Sequence, residues 1–262
     1  MEMEFYKYHG TGNDFILIDN RSGKFDAGDV EKIKALCHRR FGVGADGILL
    51  LENSEKYNFK MIYINSDGSR GSMCGNGGRC IVHFAHHLLK IVKDTKNVKF
   101  EAVDGEHEAE ILDDERIKLK MQDVRNIGER NDLTFLYSGT TPHHIQFVTN
   151  LENFPVCSEA RKVRDKNRDE KGVNVNYVEY KDGVLNMRTY ERGVEDETWA
   201  CGTGATSVAI ASHYLGKLKG NVAHISMPGG DLTVEFEKEK DGTYKNIYLT
   251  GPAVFVFKGE TN

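Results

Sequence analysis

The sequence has little of what marks membrane, secreted and nucleic-acid-binding proteins. Its longest apolar runs, such as residues 48–51, are strand-sized and far short of the roughly 20 residues that span a bilayer. Thirty-five basic residues against 40 acidic ones give a net charge of −5, which does not favour binding to nucleic acid or anionic membranes. The first five residues lack a basic-then-apolar signal pattern. We therefore expect a cytoplasmic protein with neither nucleic-acid nor membrane partners.

Cysteine and proline are also scarce. The 262 residues include 4 prolines and 5 cysteines, and the cysteines are odd in number, widely spread and never in a Cys-x-x-Cys pair. This excludes a disulfide scaffold and disfavours a dithiol redox centre. Glycine, in contrast, is in excess at 27 residues, against a usual share of about 7%. The length suffices for two domains of roughly 130 residues each.

Hydrophobic periodicity predicts strands interrupted by a few helices in both halves of the chain. The first half predicts strands over 4–8, 15–19, 47–51, 57–65 and three segments of 98–121, with helices over 29–42 and 75–90. The second half predicts strands over 134–137, 143–148, 173–179, 184–190, 223–227, 232–237, 244–250 and 253–257, with a helix over 202–215. The charged segment 159–171 fits the solvated face of a helix better than a basic binding patch.

A short internal repeat begins a predicted helix in each half. The motif Cys-Gly-x-Gly occurs at 74–77 and again at 201–204, about half the chain length apart, and each copy follows a strand and a polar turn. A thiol at a helix N-terminus faces unpaired amide N–H groups and the positive end of the helix dipole, which raises its thiolate fraction. The same N–H groups bind anions such as a carboxylate.

Two such thiols suit proton exchange at a carbon atom next to a carboxylate. A thiolate removes a proton from one face, a thiol donates one to the other, and the amide dipoles stabilise the added negative charge. This chemistry requires no metal and no organic cofactor, so the sequence predicts neither. Two ordinary buried cysteines at glycine-rich turns are the alternative, and the matched surroundings of the copies argue against it. Cys37, Cys80 and Cys157 are interpreted as structural.

Seven blocks of sequence resemble the diaminopimelate epimerase family and occur in the family's order over nearly the whole chain. They are 9–15 (HGTGNDF), 65–68 (NSDG), 73–80 (MCGNGGRC), 173–176 (VNVN), 191–193 (ERG), 200–205 (ACGTGA) and 228–231 (PGGD). The resemblance implies a cofactor-independent epimerase that interconverts LL- and meso-2,6-diaminopimelate, on the route to lysine and peptidoglycan precursors.

The resemblance also implies the architecture. We expect an α/β chain of the α+β type with two pseudo-symmetric domains, each a curled mixed or antiparallel sheet around a central helix. The active site would lie in the interdomain cleft. The expected domains are 1–122, completed by the C-terminal strand at about 251–262, and 123–250.

Residue roles are implied in the same way. Cys74 and Cys201 would be the acid/base pair, and His143 and Glu191 would modulate their protonation. Substrate would be bound by nine residues: Asn13, Asn65, Gly75, Asn76, Asn174, Glu191, Arg192, Gly202 and Thr203. The backbone N–H groups of 75–76 and 202–203 would hold the reacting carboxylate, and the remaining side chains mostly the distal amino-acid end. A zwitterionic end group indeed needs a carboxylate for its ammonium and an arginine for its carboxylate.

The sequence departs from the family pattern at several positions. Gly47 stands where many members carry a glutamine that touches substrate, and Thr141 stands where asparagine is common. One extra residue lies within 194–197, and Trp199 is large for its place. Phe257 replaces a tyrosine linked in some members to dimerisation. A homodimer is therefore a candidate assembly.

Three other functions remain open from the sequence. Another isomerase of the proline-racemase or methylaconitate-isomerase type would use the same cysteine pair, although Asn13, Asn174 and the Glu191–Arg192 pair favour a long diamino diacid. A non-catalytic amino-acid-binding protein would keep its ligand affinity without the thiols. A thiol redox sensor would form a reversible disulfide between Cys74 and Cys201.

Overall fold

The computed structural model describes residues 3–125, 127–130, 133–138, 141–166 and 172–261, the side chains of 129–138, 141 and 165–166 excepted. Spatial proximity divides the chain into two compact units. The N-terminal unit consists of Met1–Leu119 with Gly251–Asn262, and the C-terminal unit of Lys120–Thr250.

The N-terminal unit is a mixed sheet with two helices. Its elements are β1 (Met3–Gly10), β2 (Asn13–Asp19), α1 (Val30–Cys37), β3 (Gly47–Glu52), β4 (Phe59–Asn65), α2 (Gly75–His83), a π-helical turn (Phe84–Leu88), β5 (Asn97–Ala102), β6 (Gly105–Ile111) and β7 (Ile117–Lys120). A two-residue turn joins β1 to β2, and Thr11 and Gly12 both have positive φ, 52° and 86°. Such a turn matches the twist of a tight hairpin, and it fixes Asn13 at the start of β2.

The C-terminal unit has the same kind of composition. Its elements are β8 (Ile127–Arg130), β9 (Leu133–Ser138), β10 (Thr141–Phe147), a 3-10 turn (Leu151–Asn153), α3 (Val156–Lys166), β11 (Asn174–Lys181), β12 (Val184–Glu191), β13 (Asp196–Thr198), α4 (Gly202–Tyr214), β14 (Val222–Met227), β15 (Gly230–Lys238) and β16 (Tyr244–Gly251). The last strand of the chain, β17 (Val254–Thr261), pairs with β1 of the N-terminal unit.

The two units repeat one order of strands. The first order is β17-β1-β2-β3-β4-β5-β6-β7. The second is β8-β9-β10-β11-β12-β14-β15-β16. In both, the third and fourth strands run parallel, as do the fifth and sixth, and every other neighbouring pair is antiparallel. The internal repeat seen in the cysteine motifs therefore extends to the topology of both sheets.

One helix lies inside each sheet. Helix α2 contacts β1, β2, β3, β4 and β6, and α4 contacts β9, β10, β11, β12, β14 and β15. All of residues 75–82 and 204–212 are buried. Glycine is frequent in 75–82, and alanine and serine are frequent in 204–212, which keeps both helices slender enough for a curled sheet to enclose them. The expected fold of curled sheets around central helices is confirmed within each unit.

Several boundaries differ from the sequence-based expectation. Helix α1 ends at Cys37, five residues early, and α2 gives way to the π-helical turn after His83. The charged segment is helical as far as Lys166, and residues 167–171 lie outside the described chain. Strands β8 and β13 were not predicted from the sequence. Strand β13 has only three polar residues and no periodicity, and an ion pair of 2.6 Å between Glu197 and Arg188 ties it to β12.

Within these described ranges, no helix has both the length and the apolar character that a membrane crossing requires.

Candidate active site

Cys74 and Cys201 occupy equivalent positions at the two central helices. Each is the N-cap residue, with extended backbone angles of φ −115°, ψ 122° at Cys74 and φ −130°, ψ 107° at Cys201. Each carbonyl accepts the first hydrogen bond of its helix at 2.8 Å, from Gly78 N and Ala205 N respectively. Neither thiol makes a side-chain capping bond. Both sulfur atoms are therefore carried at a helix N-terminus in nearly the same backbone geometry.

The first helical residues follow each cysteine directly. Gly75 and Asn76 follow Cys74, and Gly202 and Thr203 follow Cys201. Amide N–H groups in the first turn of a helix have no acceptor within the helix, and together with the helix dipole they favour a bound carboxylate. These are the four residues whose backbone N–H groups are predicted to hold the reacting carboxylate.

Asn13 lies directly against the thiol of Cys74. The Sγ atom of Cys74 donates to Asn13 Oδ1 over 3.6 Å, and Asn76 Nδ2 donates to the same oxygen over 3.2 Å. The Asn13 Nδ2 group donates to Asp46 Oδ2 over 2.7 Å. Strand β2 and helix α2 therefore bring Asn13, Cys74 and Asn76 together.

Asp46, the hydrogen-bond partner of Asn13, belongs to a network of charged side chains. Arg39 donates to Asp46 at 2.6 Å and to Asp14 at 2.8 Å, and Lys7 donates to Asp14 at 2.5 Å. Burial would raise the pKa of Asp14, but the hydrogen bonds from Arg39 and Lys7 outweigh it and lower that pKa to about 2. Asp14 is consequently ionised throughout the physiological range.

We call each cysteine, together with the side chains that bond to it or to its neighbours, a half-site. Arg79 orients the Cys74 half-site from within helix α2. Its side chain is fully buried, and its guanidinium donates to Asn76 Oδ1 at 3.0 Å, and to Thr11 Oγ1, Gly75 O and Pro252 O at 3.3 Å. All of these acceptors are neutral. Burial lowers the pKa of Arg79, while the neighbouring Cys80 and Cys74 oppose that shift.

The thiol of Cys201 has a different set of neighbours. Asn174 Nδ2 lies 3.9 Å from Cys201 Sγ, and Thr203 Oγ1 lies 3.6 Å from it. Asn174 Oδ1 accepts from the backbone N–H of Arg192 at 2.8 Å. Asn174 and Thr203 are therefore brought to the sulfur, and the main chain of Arg192 orients Asn174.

His143 contacts Thr203, which in turn contacts Cys201. Its Nε2 atom lies 3.1 Å from Thr203 Oγ1, and its Nδ1 atom lies 3.2 Å from Asn176 Nδ2. Complete burial, assisted by the charge of Arg192, lowers the pKa of His143 to about 3. The imidazole is neutral at pH 7, and it contacts Thr203 rather than a cysteine.

Glu191 and Arg192 lie at the end of β12 beside Asn174. Glu191 Oε1 accepts from Thr198 Oγ1 at 2.6 Å, a contact made possible by the pairing of β13 with β12. Glu191 and Arg192 each have a further interaction. These two residues and Asn174 thus share one edge of the C-terminal sheet.

Asn65 and Gly47 face each other across β3 and β4. Asn65 Nδ2 donates to Ser69 Oγ at 3.0 Å. A Cβ atom at Gly47 would lie 2.5 Å from Ile64 O and 2.6 Å from the Tyr63 ring, so this backbone leaves no room for the glutamine common in the family. The Tyr63 ring occupies that space. The prediction for Thr141 concerns a side chain outside the described part of the structure.

The remaining cysteines do not belong to these half-sites. Cys37 and Cys80 are buried, and burial raises their pKa to about 11 and about 12. Cys157 donates to Asp196 at 3.0 Å on helix α3. Among the described residues, no three histidine, cysteine, aspartate or glutamate side chains are grouped to hold a metal ion. Phe5 and Phe15 are buried in the core, whereas Trp199 is 64% exposed.

Three residues of the half-sites had no role predicted from the sequence. Asp46 and Arg79 orient Asn13 and Asn76, and Asn176 contacts His143. Arg79 and Asn176 lie inside the motifs at 73–80 and 173–176, so their presence there was the available signal. Asp46 gives none, because an aspartate in the Gly-rich stretch 44–47 resembles any other turn residue.

Solved structures share this fold over the full length of the chain. A phenazine biosynthesis protein of the PhzF family from Bacillus anthracis has a TM-score of 0.73 at 15% identity and covers 100% of this chain and 99% of its own. A probable proline racemase from Agrobacterium radiobacter has a TM-score of 0.71 at 14% identity and covers 99% and 93%. Fold and site, taken with the relatives below, define an isomerase of the racemase and epimerase class.

Sequence relatives specify the family. The family model for diaminopimelate epimerase matches residues 5–127 and 135–256. The diaminopimelate epimerase of Flavobacterium psychrophilum is 48% identical over 98% of this chain and 99% of its own length. That of Chlorobaculum tepidum is 43% identical over 95% and 98%. The chain belongs to the diaminopimelate epimerase family.

Proposed function

We propose that the protein interconverts LL- and meso-2,6-diaminopimelate by a two-cysteine acid/base reaction. The observation that carries the proposal is the pair of thiols at equivalent N-cap positions, each followed by the first turn of a helix, in a member of this family. We further propose that the two compact units are the two catalytic domains, and that their half-sites act on one α-carbon from opposite faces.

The proposed reaction moves one proton to the enzyme and one from it. The thiolate of one cysteine takes the α-proton, and the thiol of the other donates its proton to the opposite face of the same carbon. The carboxylate gains enediolate character at the transition state, where the amides of 75–76 and 202–203 stabilise its charge. No step requires a metal or an organic cofactor.

The distal end of the substrate is assigned to the polar side chains around the two thiols. Glu191 would receive the distal ammonium and Arg192 the distal carboxylate, with Asn13, Asn65 and Asn174 as neutral donors and acceptors. Protein groups already hold the asparagine side chains. Substrate would therefore meet preorganised partners, which lowers the entropic cost of binding.

The cellular context and the assembly are part of the proposal. The family relationship favours a cytoplasmic enzyme that supplies lysine and peptidoglycan synthesis. Four consecutive apolar residues of β17, Val254 to Phe257, are 39–50% exposed, which supports a homodimer that covers this strand.

The decisive experiment combines turnover with isotope exchange. Purified, reduced protein is incubated with LL-diaminopimelate in D2O, and we expect meso product with deuterium at one α-carbon. Cys74→Ala and Cys201→Ala should each lower kcat by at least about 1000-fold, because each removes an essential acid/base group. Cys157→Ala is the matched control, since Cys157 lies on α3 outside the half-sites, and it should retain wild-type turnover.

Full turnover by either catalytic-site variant would overturn the two-thiol reaction. Racemisation of proline with no action on diaminopimelate would instead favour an isomerase with another substrate. Binding of diaminopimelate without any deuterium incorporation would favour a binding protein.

A further inference from the structure

Chains of hydrogen bonds lead to both thiols, and the group at the far end of each chain determines which atoms donate and which accept. The oxygen and nitrogen atoms of an asparagine side chain look alike, so their assignment depends on the network. A guanidinium can only donate, and a carboxylate or a backbone carbonyl can only accept. Groups of this kind terminate the chains of hydrogen bonds that lead to Cys74 and to Cys201.

The chain at Cys74 presents an acceptor to the sulfur. Arg79 Nη2 donates to Asn76, so that contact is Asn76 Oδ1 and the amide nitrogen of Asn76 faces Asn13. At the other end, Asp46 accepts from Asn13, so that contact is Asn13 Nδ2. Both ends require Asn13 Oδ1 to face Cys74 Sγ at 3.6 Å. This oxygen can only accept, and it therefore favours the protonated thiol.

The first chain at Cys201 presents a donor instead. The backbone N–H of Arg192 donates to Asn174 at 2.8 Å, so that contact is Asn174 Oδ1. Its Nδ2 group is then directed to Cys201 Sγ at 3.9 Å. An N–H group directed at sulfur stabilises the thiolate.

A second chain has the same direction. Asn176 Nδ2 donates to the backbone carbonyl of His144 at 3.0 Å, and its Oδ1 accepts from Thr189 at 3.0 Å, which fixes the amide. The same Nδ2 group donates to His143 Nδ1 at 3.2 Å. The neutral imidazole consequently carries its proton on Nε2.

His143 then determines the direction of the Thr203 hydroxyl. The Nε2–H group donates to Thr203 Oγ1 over 3.1 Å. Thr203 Oγ1 accepts this bond through one of its lone pairs, so its own hydroxyl proton can point to Cys201 Sγ at 3.6 Å. A chain from the buried Asn176 and His143 through the half-buried Thr203 thus ends in a second donor to the same sulfur.

We propose that these opposite directions make Cys201 the thiolate and Cys74 the thiol of the resting enzyme, with Asn176 as the residue that positions the relay. The inference rests on the proposed two-cysteine reaction and specifies its starting state. Cys201 Sγ would take the α-proton, and Cys74 Sγ–H would supply the proton to the other face. The enzyme would be left with a Cys74 thiolate and a Cys201 thiol, and proton exchange with water would restore the resting state.

The charged groups near the two thiols do not reverse this order. On the Cys74 side, the cationic Arg79 favours a thiolate, while Asp46, bonded to Asn13, opposes it. On the Cys201 side, Arg192 is the cation that acts on His143, and the carboxylate is Glu191, held by Thr198. Behind Asn13, Arg39 also pairs with Asp46 and Asp14, and Lys7 pairs with Asp14. Both half-sites therefore contain charges of both signs, and both thiols lie at a helix N-terminus. The contacts of Asn13 with Cys74 and of Asn174 and Thr203 with Cys201 differ in hydrogen-bond direction.

The test measures the pH at which each thiol becomes reactive, without substrate. Reduced protein is treated briefly with iodoacetamide between pH 5 and 10, and mass spectrometry follows the initial alkylation rate of each cysteine. The pH midpoint depends on ionisation, whereas access to the sulfur changes only the plateau. We expect a lower midpoint for Cys201 than for Cys74.

Two substitutions at Thr203 separate the relay from structural effects. Thr203→Val keeps the backbone N–H and the side-chain shape but removes the donated proton, and it should raise the Cys201 midpoint by roughly one pH unit. Thr203→Ser keeps the hydroxyl and should leave the midpoint near the wild-type value. The Cys74 midpoint should not move in either variant.

Asn176→Asp tests the positioning role. A carboxylate at this place would demand a proton on His143 Nδ1, so Nε2 would accept from Thr203 and the hydroxyl would turn away from Cys201. The Cys201 midpoint should rise. If this variant does not fold, the Thr203 pair still decides the matter.

Equal midpoints, a lower midpoint for Cys74, or no effect of Thr203→Val would overturn the proposal. The isotope experiment on diaminopimelate is independent of this result. Epimerisation by a protein in which Cys74 has the lower midpoint would refute only the proposed resting state. A lower midpoint for Cys201 without epimerisation would refute only the proposed function.

Discussion

At the residue scale, the second glycine of each Cys-Gly-x-Gly motif lies in a different packing environment. A Cβ atom at Gly204 would lie 2.7 Å from Asn176 Oδ1 and 3.2 Å from Cys201 Sγ. At Gly77 it would meet only the flexible end of Leu49 at 3.3 Å and the Cys74 Cβ at 3.6 Å. The same motif therefore tolerates a methyl group in one copy and excludes it in the other.

This contrast predicts unequal effects of two matched substitutions. Gly204→Ala should displace Asn176 and the sulfur by a sizeable fraction of an ångström, and we expect kcat to fall by roughly 100-fold. Gly77→Ala should cost less than about threefold, since a shift of Leu49 accommodates it and alanine is the better helix former. Steady-state kinetics of both purified variants is the measurement. Equal losses would show that the packing around Asn176 does not control the reaction.

At the element scale, ionic contacts connect β1, β2 and the segment between α1 and β3 behind Asn13. Lys7 lies on β1, Asp14 on β2, and Arg39 and Asp46 follow α1. Asp14 has a side-chain exposure of only 16%, so water screens its contacts weakly. The network stabilises the elements that present Asn13 and does not itself touch the sulfur.

The depressed pKa of Asp14 makes this stabilisation pH-dependent. Its folded-state pKa of about 2 lies below the unfolded value, so the contribution is complete above about pH 4 and is lost as the pH falls through 2. We expect Asp14→Asn to lower the free energy of unfolding by about 2 kcal/mol at pH 7. The difference from wild type should shrink in acid.

Urea unfolding of both proteins at pH 7, 4 and 2.5 measures this difference. Asp114→Asn is a suitable control, since Asp114 forms a half-exposed pair with Arg116, and such pairs contribute little. A deficit in Asp14→Asn that stayed constant down to pH 2.5 would contradict an electrostatic origin.

At the scale of the whole molecule, the sequence motifs predicted positions better than contacts. The repeat at 74–77 and 201–204 located both central helices, because a glycine-rich turn before a helix has a clear pattern. It did not reveal that Asn13 accepts at Cys74 while Asn174 donates at Cys201. Those directions depend on Asp46, Arg79 and the backbone of Arg192, which are brought near the thiols only by the folded sheets.

The small polar strand β13 was missed for a related reason. Asp196, Glu197 and Thr198 have no hydrophobic alternation to identify, and their pairing depends on Arg188 in the neighbouring strand. The sequence likewise showed that Gly47 replaces the glutamine common in the family, but it did not show why. The cause is the Tyr63 ring, which fills the space where a side chain at 47 would lie.

The exposed strand β17 leads to a prediction about assembly. Val254, Phe255, Val256 and Phe257 are 39%, 39%, 50% and 44% exposed, and consecutive apolar residues on both faces of a strand favour burial against a partner.

We expect wild-type protein to sediment as a dimer at micromolar concentrations. Val256→Lys should shift it to the monomer, because burying an unpaired ammonium is strongly unfavourable. Val103→Lys, at a turn residue that is 74% exposed, should leave the dimer intact. A wild-type monomer at every concentration, or equal sedimentation of both variants, would show that β17 is not the interface.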